Sequence, residues 1–292
     1  MKKLVIFISV LHIFHCGTVH AGWMKLDAPG ATWTEIHGID GENLVGHASN
    51  NNDGWGHGFL YDGTSWTMLD TGDVWDIDGG NLVGSYSDGS GTHGFLYDGT
   101  SRTTLDFPGA DYTDATGIDG GNIVGAYGYT DGSYPENYPH GFLYDGTSWT
   151  TIDFPGVDYT YATGIDGGNI VGIYGDGSRE HGFLYDGTNW TTLDAPGAAT
   201  STWIFGIDGD NLVGAYPDGF SDHGLFYDGM NWTTLDAPGE DYTRVYGIDG
   251  DNLVGSCWDM TGAGHGFVYR IPEPATLLLL GLGTVAVFRS RR

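Results

Sequence analysis

The chain has 292 residues, 52 of them glycine and two cysteine, with 38 acidic against 10 basic residues and a formal net charge of −28. Such a balance excludes nucleic acid as a partner, because phosphate binding rewards positive charge. It favours solubility and attracts cations.

The chain opens with Met1-Lys2-Lys3, a charged start, followed by an apolar run from Leu4 to Phe14 and a small-x-small step at Val19-His20-Ala21. This predicts an export signal peptide over residues 1–21, cleaved between Ala21 and Gly22. Cys16-Gly17 leaves a lipoprotein alternative open, although Ile13-Phe14-His15 is bulky where that signal wants small residues. After export only Cys257 remains, so no internal disulfide holds the fold and packing must do so. Cys257 reads as a half-buried strand residue, not a reactive thiol. Between Gly22 and Glu273 the basic residues are Lys25, Arg102, Arg179, Arg244 and Arg270, and all the acidic residues lie there. Half of the aspartates sit in Asp-Gly pairs, so the charge is partly turn chemistry.

Residues 22–270 repeat one pattern. It reads Gly-Ile-Asp, a glycine turn, Asn-Leu-Val-Gly, a variable stretch, His-Gly-Phe-Leu-Tyr, Asp-Gly-Thr, Trp-Thr-Thr-Leu-Asp and x-Pro-Gly. His57, His93, His140, His181, His223 and His265 start the His-Gly-Phe-Leu-Tyr element of this pattern, at spacings of about 40 residues. The third copy predicts four strands, over Thr113–Asp119, Asn122–Tyr127, His140–Tyr144 and Trp149–Asp153. Gly120-Gly121 and Asp145-Gly146 supply the hairpin turns, and Phe154-Pro155-Gly156 ends the unit. Four antiparallel strands in each of six copies describe an all-β fold, a six-bladed β-propeller. Trp23–Asp27 is a lone fourth strand and His265–Tyr269 a lone third strand, so the N-terminal strand is expected to pair with the last blade and close the ring. A β-solenoid or a sandwich stays open as the alternative topology.

Because the His-Gly-Phe histidines and the Gly-Ile-Asp aspartates recur in every unit, they are expected to serve the unit by hydrogen bonding, and no residue is assigned as a metal ligand. Asp62-Gly63-Thr64-Ser65-Trp66 and its copies resemble the Asp-box of other propellers without its spacing, and read as structural turns. Asn50-Asn51-Asn52-Asp53-Gly54 and Asp76-Ile77-Asp78-Gly79 resemble fragments of calcium loops, but neither completes the ligand array. Ca²⁺ therefore stays an open alternative, and no other cofactor is expected.

Function is expected where the copies disagree. The stretches after the second and fourth strands vary and share one face of an up-down blade. The longest carries Tyr129, Tyr134 and Tyr138. On the innermost strands, the first and third positions after a repeated threonine also vary. They hold Glu35 and His37, Asp114 and Thr116, Tyr161 and Thr163, Trp203 and Phe205, and Arg244 and Tyr246, with Asp73 and Trp75 in the shortened second copy. Alternation along a strand puts these on one face or rim. The candidate ligand-binding set is Glu35, His37, Asp73, Trp75, Asp114, Tyr161, Trp203, Phe205, Arg244, Tyr246, Tyr129 and Tyr134. Carboxylates, an arginine and aromatics suit sugar recognition. The plain alternative is that they pack between blades.

The unit resembles the HAF family of extracellular repeats, its His-Ala-Phe motif reading His57-Gly58-Phe59 here and departing to His223-Gly224-Leu225 in the fifth copy. That resemblance implies an exported, propeller-like protein and no particular reaction. The C-terminal segment, residues 271–292, resembles the PEP-CTERM sorting signal. Pro272-Glu273-Pro274 is followed by an apolar run from Ala275 to Phe288 and by Arg289, Arg291 and Arg292. The resemblance implies a short hydrophobic helix in the inner membrane with its arginines in the cytoplasm. It also implies an exosortase-type processing enzyme as partner, and release to the cell surface or the extracellular space.

The expected function is a non-enzymatic binding or structural β-propeller associated with an extracellular polysaccharide or a surface protein. A purely structural matrix protein is one alternative. A glycoside hydrolase or lyase using Glu35, Asp73 and Asp114 is the other.

Overall fold

Glycine turns and alternating apolar residues make strands throughout. In the computed structural model, which describes residues 22–50, 56–69, 72–129 and 138–272, every regular element is a β-strand. The predicted signal peptide and the apolar tail beyond Pro272 lie outside the described residues.

The strands form antiparallel units of four. The first unit is Trp33–Asp40, Asn43–Ser49, His57–Tyr61 and Trp66–Leu69. The second runs Asp73–Asp78, Asn81–Ser87, Thr92–Tyr97 and Arg102–Leu105, and the third Tyr112–Asp119, Asn122–Gly128, His140–Tyr144 and Trp149–Ile152. The fourth runs Tyr159–Asp166, Asn169–Gly175, Glu180–Tyr185 and Trp190–Leu193, and the fifth Trp203–Asp208, Asn211–Pro217, Asp222–Tyr227 and Trp232–Leu235. The sixth has Tyr242–Asp249, Asn252–Trp258 and Gly264–Arg270. Its fourth strand is Trp23–Lys25, from the other end of the chain, with Trp23 opposite Tyr269.

The predicted boundaries of the third unit hold to within a residue. Its fourth strand stops at Ile152, one short of the expected Asp153, because the Asp153 carboxylate turns to the Nδ1 of His140 at 2.9 Å. Gly120 and Gly121 both take positive φ, 55° and 91°, the conformation a two-residue hairpin turn needs.

The second strands show how the units stack. Leu44 and Val45, or Ile123 and Val124, are neighbours that point to opposite faces, yet both are buried. Each sheet is therefore covered on both sides by its neighbours. Phe59, Phe95, Phe142, Phe183 and Phe267 of the His-Gly-Phe motif are at most 1% exposed, each stabilising the fold by about 1.5–3 kcal/mol. Cys257 is fully buried, not half-buried as its place in the repeat implied, and burial pushes its thiol up to about 12.

Repeated polar residues join one unit to the next. Thr113 Oγ1 accepts the backbone N–H of Phe107 at 2.9 Å, and Thr34, Thr160, Thr202 and Thr243 do the same for the residue before each Pro-Gly. The Gly-Ile-Asp aspartates reach further. Asp40 accepts the N–H of Gly79, Asp78 that of Gly120, Asp119 that of Gly167, Asp166 that of Gly209 and Asp208 that of Gly250. Asp249 then accepts the N–H of Gly41, in the first unit, at 2.7 Å.

Candidate functional site

The first strands of the units lie side by side, and their inward residues line a cavity of about 330 Å³. One irregularity, repeated in each unit, shapes it. Between Ile36 and Gly38 the register with the second strand shifts by one residue, and the same bulge recurs at Val74/Asp76, Ala115/Gly117, Ala162/Gly164, Ile204/Gly206 and Val245/Gly247. A bulge re-aims the extra residue. The bulged residues are His37, Trp75, Thr116, Thr163, Phe205 and Tyr246, and all of them line the cavity. Opposite each bulge stands a glycine of Asn-Leu-Val-Gly. A Cβ on Gly125 would come within 1.9 Å of the Asp114 carbonyl oxygen, so no larger residue fits.

The candidate residues divide into two tiers. His37, Trp75, Tyr161, Phe205 and Tyr246 line the cavity. Glu35, Asp73, Asp114, Trp203 and Arg244 occupy the position two residues earlier and pair among themselves and with their surroundings. Arg244 Nε donates to Asp222 Oδ2 at 2.9 Å, and its guanidinium lies 5.0 Å from the Trp203 ring centre. Trp203 Nε1 donates to Glu180. Asp114 Oδ2 accepts the Tyr161 hydroxyl at 3.1 Å. Tyr129, expected on the same binding surface, instead packs edge-on against Tyr127 in the core of the third unit and lines no part of the cavity. Tyr134 lies outside the described residues.

Inside the cavity the chemistry is mostly apolar. Ile39, Ile165, Ile207 and Ile248 form the wall beyond the aromatic rings. Burial pushes the Tyr246 phenol up to about 12, with the Glu35 charge adding to it. Burial and the Asp114 carboxylate likewise hold the Tyr161 phenol well above its ordinary value. Both phenols stay protonated, and the Tyr161 hydroxyl is spent on Asp114. Burial also raises Asp114, against the hydrogen bonds from Ser85 and Tyr161 that lower it.

Two residues of the site stand outside the expected binding set: Asp76, weighed only as part of a calcium-loop fragment, and His47, not singled out at all. Asp76 stands where five units have the glycine of Gly-Ile-Asp, so it alone carries a carboxylate to the cavity wall at that level. Its oxygens accept the N–H groups of Ile77 and Ile118, both at 2.9 Å, yet burial raises it to about 7. The departure from glycine was visible in the aligned copies. His47 is the second. It sits directly across the ladder from Glu35, where the other units have Ser85, Ala126, Ile173, Ala215 and Ser256. Aligning the residue after Asn-Leu-Val-Gly would have found it.

Among the described residues, Glu35, His37 and His47 are the group able to hold a metal ion, their donor atoms lying within 4.8 Å of one another. Burial would raise the Glu35 carboxyl, but the hydrogen bond from His37 and the charges of His37 and His47 outweigh it and hold Glu35 at about 2. The repeated histidines behave differently. His93, His140, His181, His223 and His265 each place Nδ1 within 2.8–2.9 Å of the aspartate closing their unit. These pairs bind strand to strand, as their recurrence implied.

Residues 270–292 match the PEP-CTERM protein-sorting motif, a signal for exosortase processing that implies an exported surface protein. No helix among the described residues is long and apolar enough to cross a membrane, and the apolar run expected to do so lies beyond them. No curated protein matches the chain. Solved structures do. The β-propeller domain of the Trilobed protease from Pyrococcus furiosus, described as having an open velcro topology, superposes with a TM-score of 0.55 at 12% identity, over 80% of this chain and 78% of that one. TolB from Acinetobacter baumannii gives 0.56 at 15% identity, over 80% and 65%. Pyrococcus horikoshii acylaminoacyl peptidase gives 0.52 at 14%, over 85% of this chain but 46% of the peptidase. At such identities the likeness carries the architecture alone. The described part of the chain is an all-β protein with the β-propeller fold.

Proposed function

We propose that the chain is an exported, surface-sorted propeller of six blades, closed into a ring, that binds a neutral sugar of an extracellular polysaccharide in its central cavity. Closure is supported by the circuit of aspartate–glycine hydrogen bonds, which returns from Asp249 to Gly41, and by the pairing of Trp23–Lys25 with the last unit. The units are HAF-type repeats in this reading, with the motif histidine fastening the strand and the motif phenylalanine filling the core. The signal peptide ends at Ala21. Gly22 then lies beside the start of the sorting segment, its carbonyl accepting the Arg270 N–H at 2.8 Å. Both processing events would occur at one edge of the propeller.

The observation that carries the binding reading is the cavity itself. Trp75, Phe205 and Tyr246 come from different units to one small volume, with hydroxyls and a carboxylate between them. Aromatic faces stack on the apolar faces of sugar rings, and a few placed polar groups choose among hydroxyls. The net charge of −28 disfavours an anionic ligand. Catalysis by Glu35, Asp73 and Asp114 is the weaker reading, since none of the three lines the cavity.

The test is a glycan array and a purified-exopolysaccharide binding assay on the full chain. Saturable binding is expected, weakened at least about tenfold by Phe205→Ala, the loss of one stacked ring. Absence of binding, or equal binding by Phe205→Ala, overturns the reading. Release of reducing ends in the same assay would favour the hydrolase.

A further inference from the structure

One cluster in the first unit is repeated nowhere else and is incomplete as it stands. Glu35 and His47 face each other across the ladder, and His37 lies two residues along from Glu35 on the same side of the strand. The bulge at His37 draws the three donor atoms together. Glu35 Oε2 is 3.3 Å from His37 Nε2 and 3.6 Å from His47 Nδ1.

The hydrogen-bond roles are constrained. His37 Nδ1 lies 3.2 Å from the Val74 carbonyl oxygen, which only accepts, so Nδ1 carries the hydrogen. In the neutral ring Nε2 then presents a lone pair to the Glu35 carboxylate. Two acceptors at that separation repel unless positive charge lies between them. A proton on Nε2 would settle this pair alone. It would leave His47 Nδ1, a buried atom with no hydrogen-bond partner among the described residues, unsatisfied. A cation held by all three settles the whole cluster.

We propose that Glu35, His37 and His47 form a binding site for one divalent transition-metal ion of the zinc class. Tetrahedral zinc, with bonds of about 2.0–2.2 Å, sets its ligand atoms about 3.3–3.5 Å apart, close to the separations from Glu35 Oε2. Two imidazoles and one carboxylate select zinc, cobalt, nickel or copper, whereas calcium and magnesium want oxygen ligands. The Val74 carbonyl behind His37 is the outer partner that a metal-bound imidazole keeps, fixing its tautomer. Ser256 Oγ stands 3.5 Å from the other Glu35 oxygen. His37 lines the cavity, so the ion sits at its edge. The site does not rest on the sugar-binding reading, because metal uptake is measured with no ligand present.

The test uses the full chain, carrying no polyhistidine tag and stripped with chelator. Co²⁺ is titrated by visible absorption and Zn²⁺ by calorimetry. The expected result is about one equivalent of Co²⁺ with a visible d–d band, displaced by Zn²⁺ and untouched by millimolar Ca²⁺. His47→Ala and Glu35→Gln should each weaken Zn²⁺ at least about tenfold, and His93→Ala, in a strand-fastening pair, should not. Circular dichroism checks that each variant is folded, and the wild-type Co²⁺ titration needs no variant at all. Absence of stoichiometric binding by the wild type overturns the proposal and leaves the protonated His37–Glu35 pair as the explanation. Binding that survives His47→Ala but is lost in His93→Ala also overturns it and places the metal on the surface pairs.

Discussion

The two ends of each innermost strand obey different rules. At the glycine turn the units agree: an aspartate of one accepts the backbone N–H of the next, from Asp40 and Gly79 round to Asp249 and Gly41. A few residues earlier, at the inward positions, only the third and fourth units agree, and histidine, tryptophan, two threonines, phenylalanine and tyrosine share one cavity. Contacts made identically in every unit leave no group wanting a partner. Where the units diverge, a half-buried carboxylate with a raised value (Asp76) and an imidazole nitrogen without a hydrogen-bond partner among the described residues (His47 Nδ1) remain. Repetition holds the scaffold, and departures from it hold the chemistry.

The sharpest way to break this contrast is to alter the glycine that permits the bulges. Gly125→Ala drives a methyl against the Asp114 carbonyl and the Phe142 ring. With backbone on one side and a fully buried ring on the other, the site cannot relax. A loss of more than about 3 kcal/mol, read from the urea midpoint, is expected. Gly79→Ala meets nothing within 4 Å and is disfavoured only by its φ of 55°, a cost of about 1 kcal/mol. Equal losses in the two variants would show that the bulge does not depend on the missing side chain.

Asp76 sharpens the comparison from the other side, because it is a departure inside a repeated position. Its folded value, about 7, lies above the ordinary carboxyl range. A raised acid penalises the fold as it ionises. The penalty is absent below the ordinary carboxyl value, grows as pH rises towards 7, and is complete above it. Asp76→Gly should therefore gain stability relative to the native chain between about pH 4 and pH 7. Because Asp76 lines the cavity, where water reaches it, the gain is about 1–2 kcal/mol, less than full burial would give. A difference between the two urea midpoints that does not change with pH would mean that Asp76 is held ionised throughout by Ile77 and Ile118.

What was legible in the sequence follows the range of the interactions. Hairpin turns and strand alternation are local, so Gly120-Gly121 and the strands of the third unit were placed to within a residue. The inward positions were legible too, since alternation from a repeated threonine counts them off. The bulge was not. It arises where a second-strand glycine lets the first-strand backbone approach, a relation between strands that no single strand displays. Without it, Glu35 and His37 looked like equal members of one rim, whereas the structure separates the cavity wall from the paired tier beside it. His47 was missed for the same reason, because its meaning lies in the residue opposite. The contact of Tyr129 with the Tyr127 ring was not legible either, because a tyrosine in a variable loop carries no sign of the ring it packs against.

The smallest effect concerns the repeated histidines, and it separates a scaffold imidazole from one that awaits a ligand. His93 lies between Asp106, 2.9 Å from Nδ1, and Asp88, 3.4 Å from Nε2. The hydrogen bond to Asp106 and the two negative charges raise it above its ordinary value. For a raised base, the stabilisation is fully present below the unfolded value and is lost as pH rises through the folded one. His93→Gln should therefore cost a few tenths of a kcal/mol near pH 5.5 and close to nothing near pH 9, with the low-pH effect shrinking in high salt. An equal cost at both pH values would mean that the ring acts as a neutral donor to Asp106 and that its charge does nothing. Among the described residues His47 has no such aspartate within hydrogen-bond reach; the Glu35 carboxylate oxygen lies 3.6 Å from its Nδ1. Burial, followed by the His37 charge, lowers it, and the charges of Glu35 and Asp73 do not make up the difference.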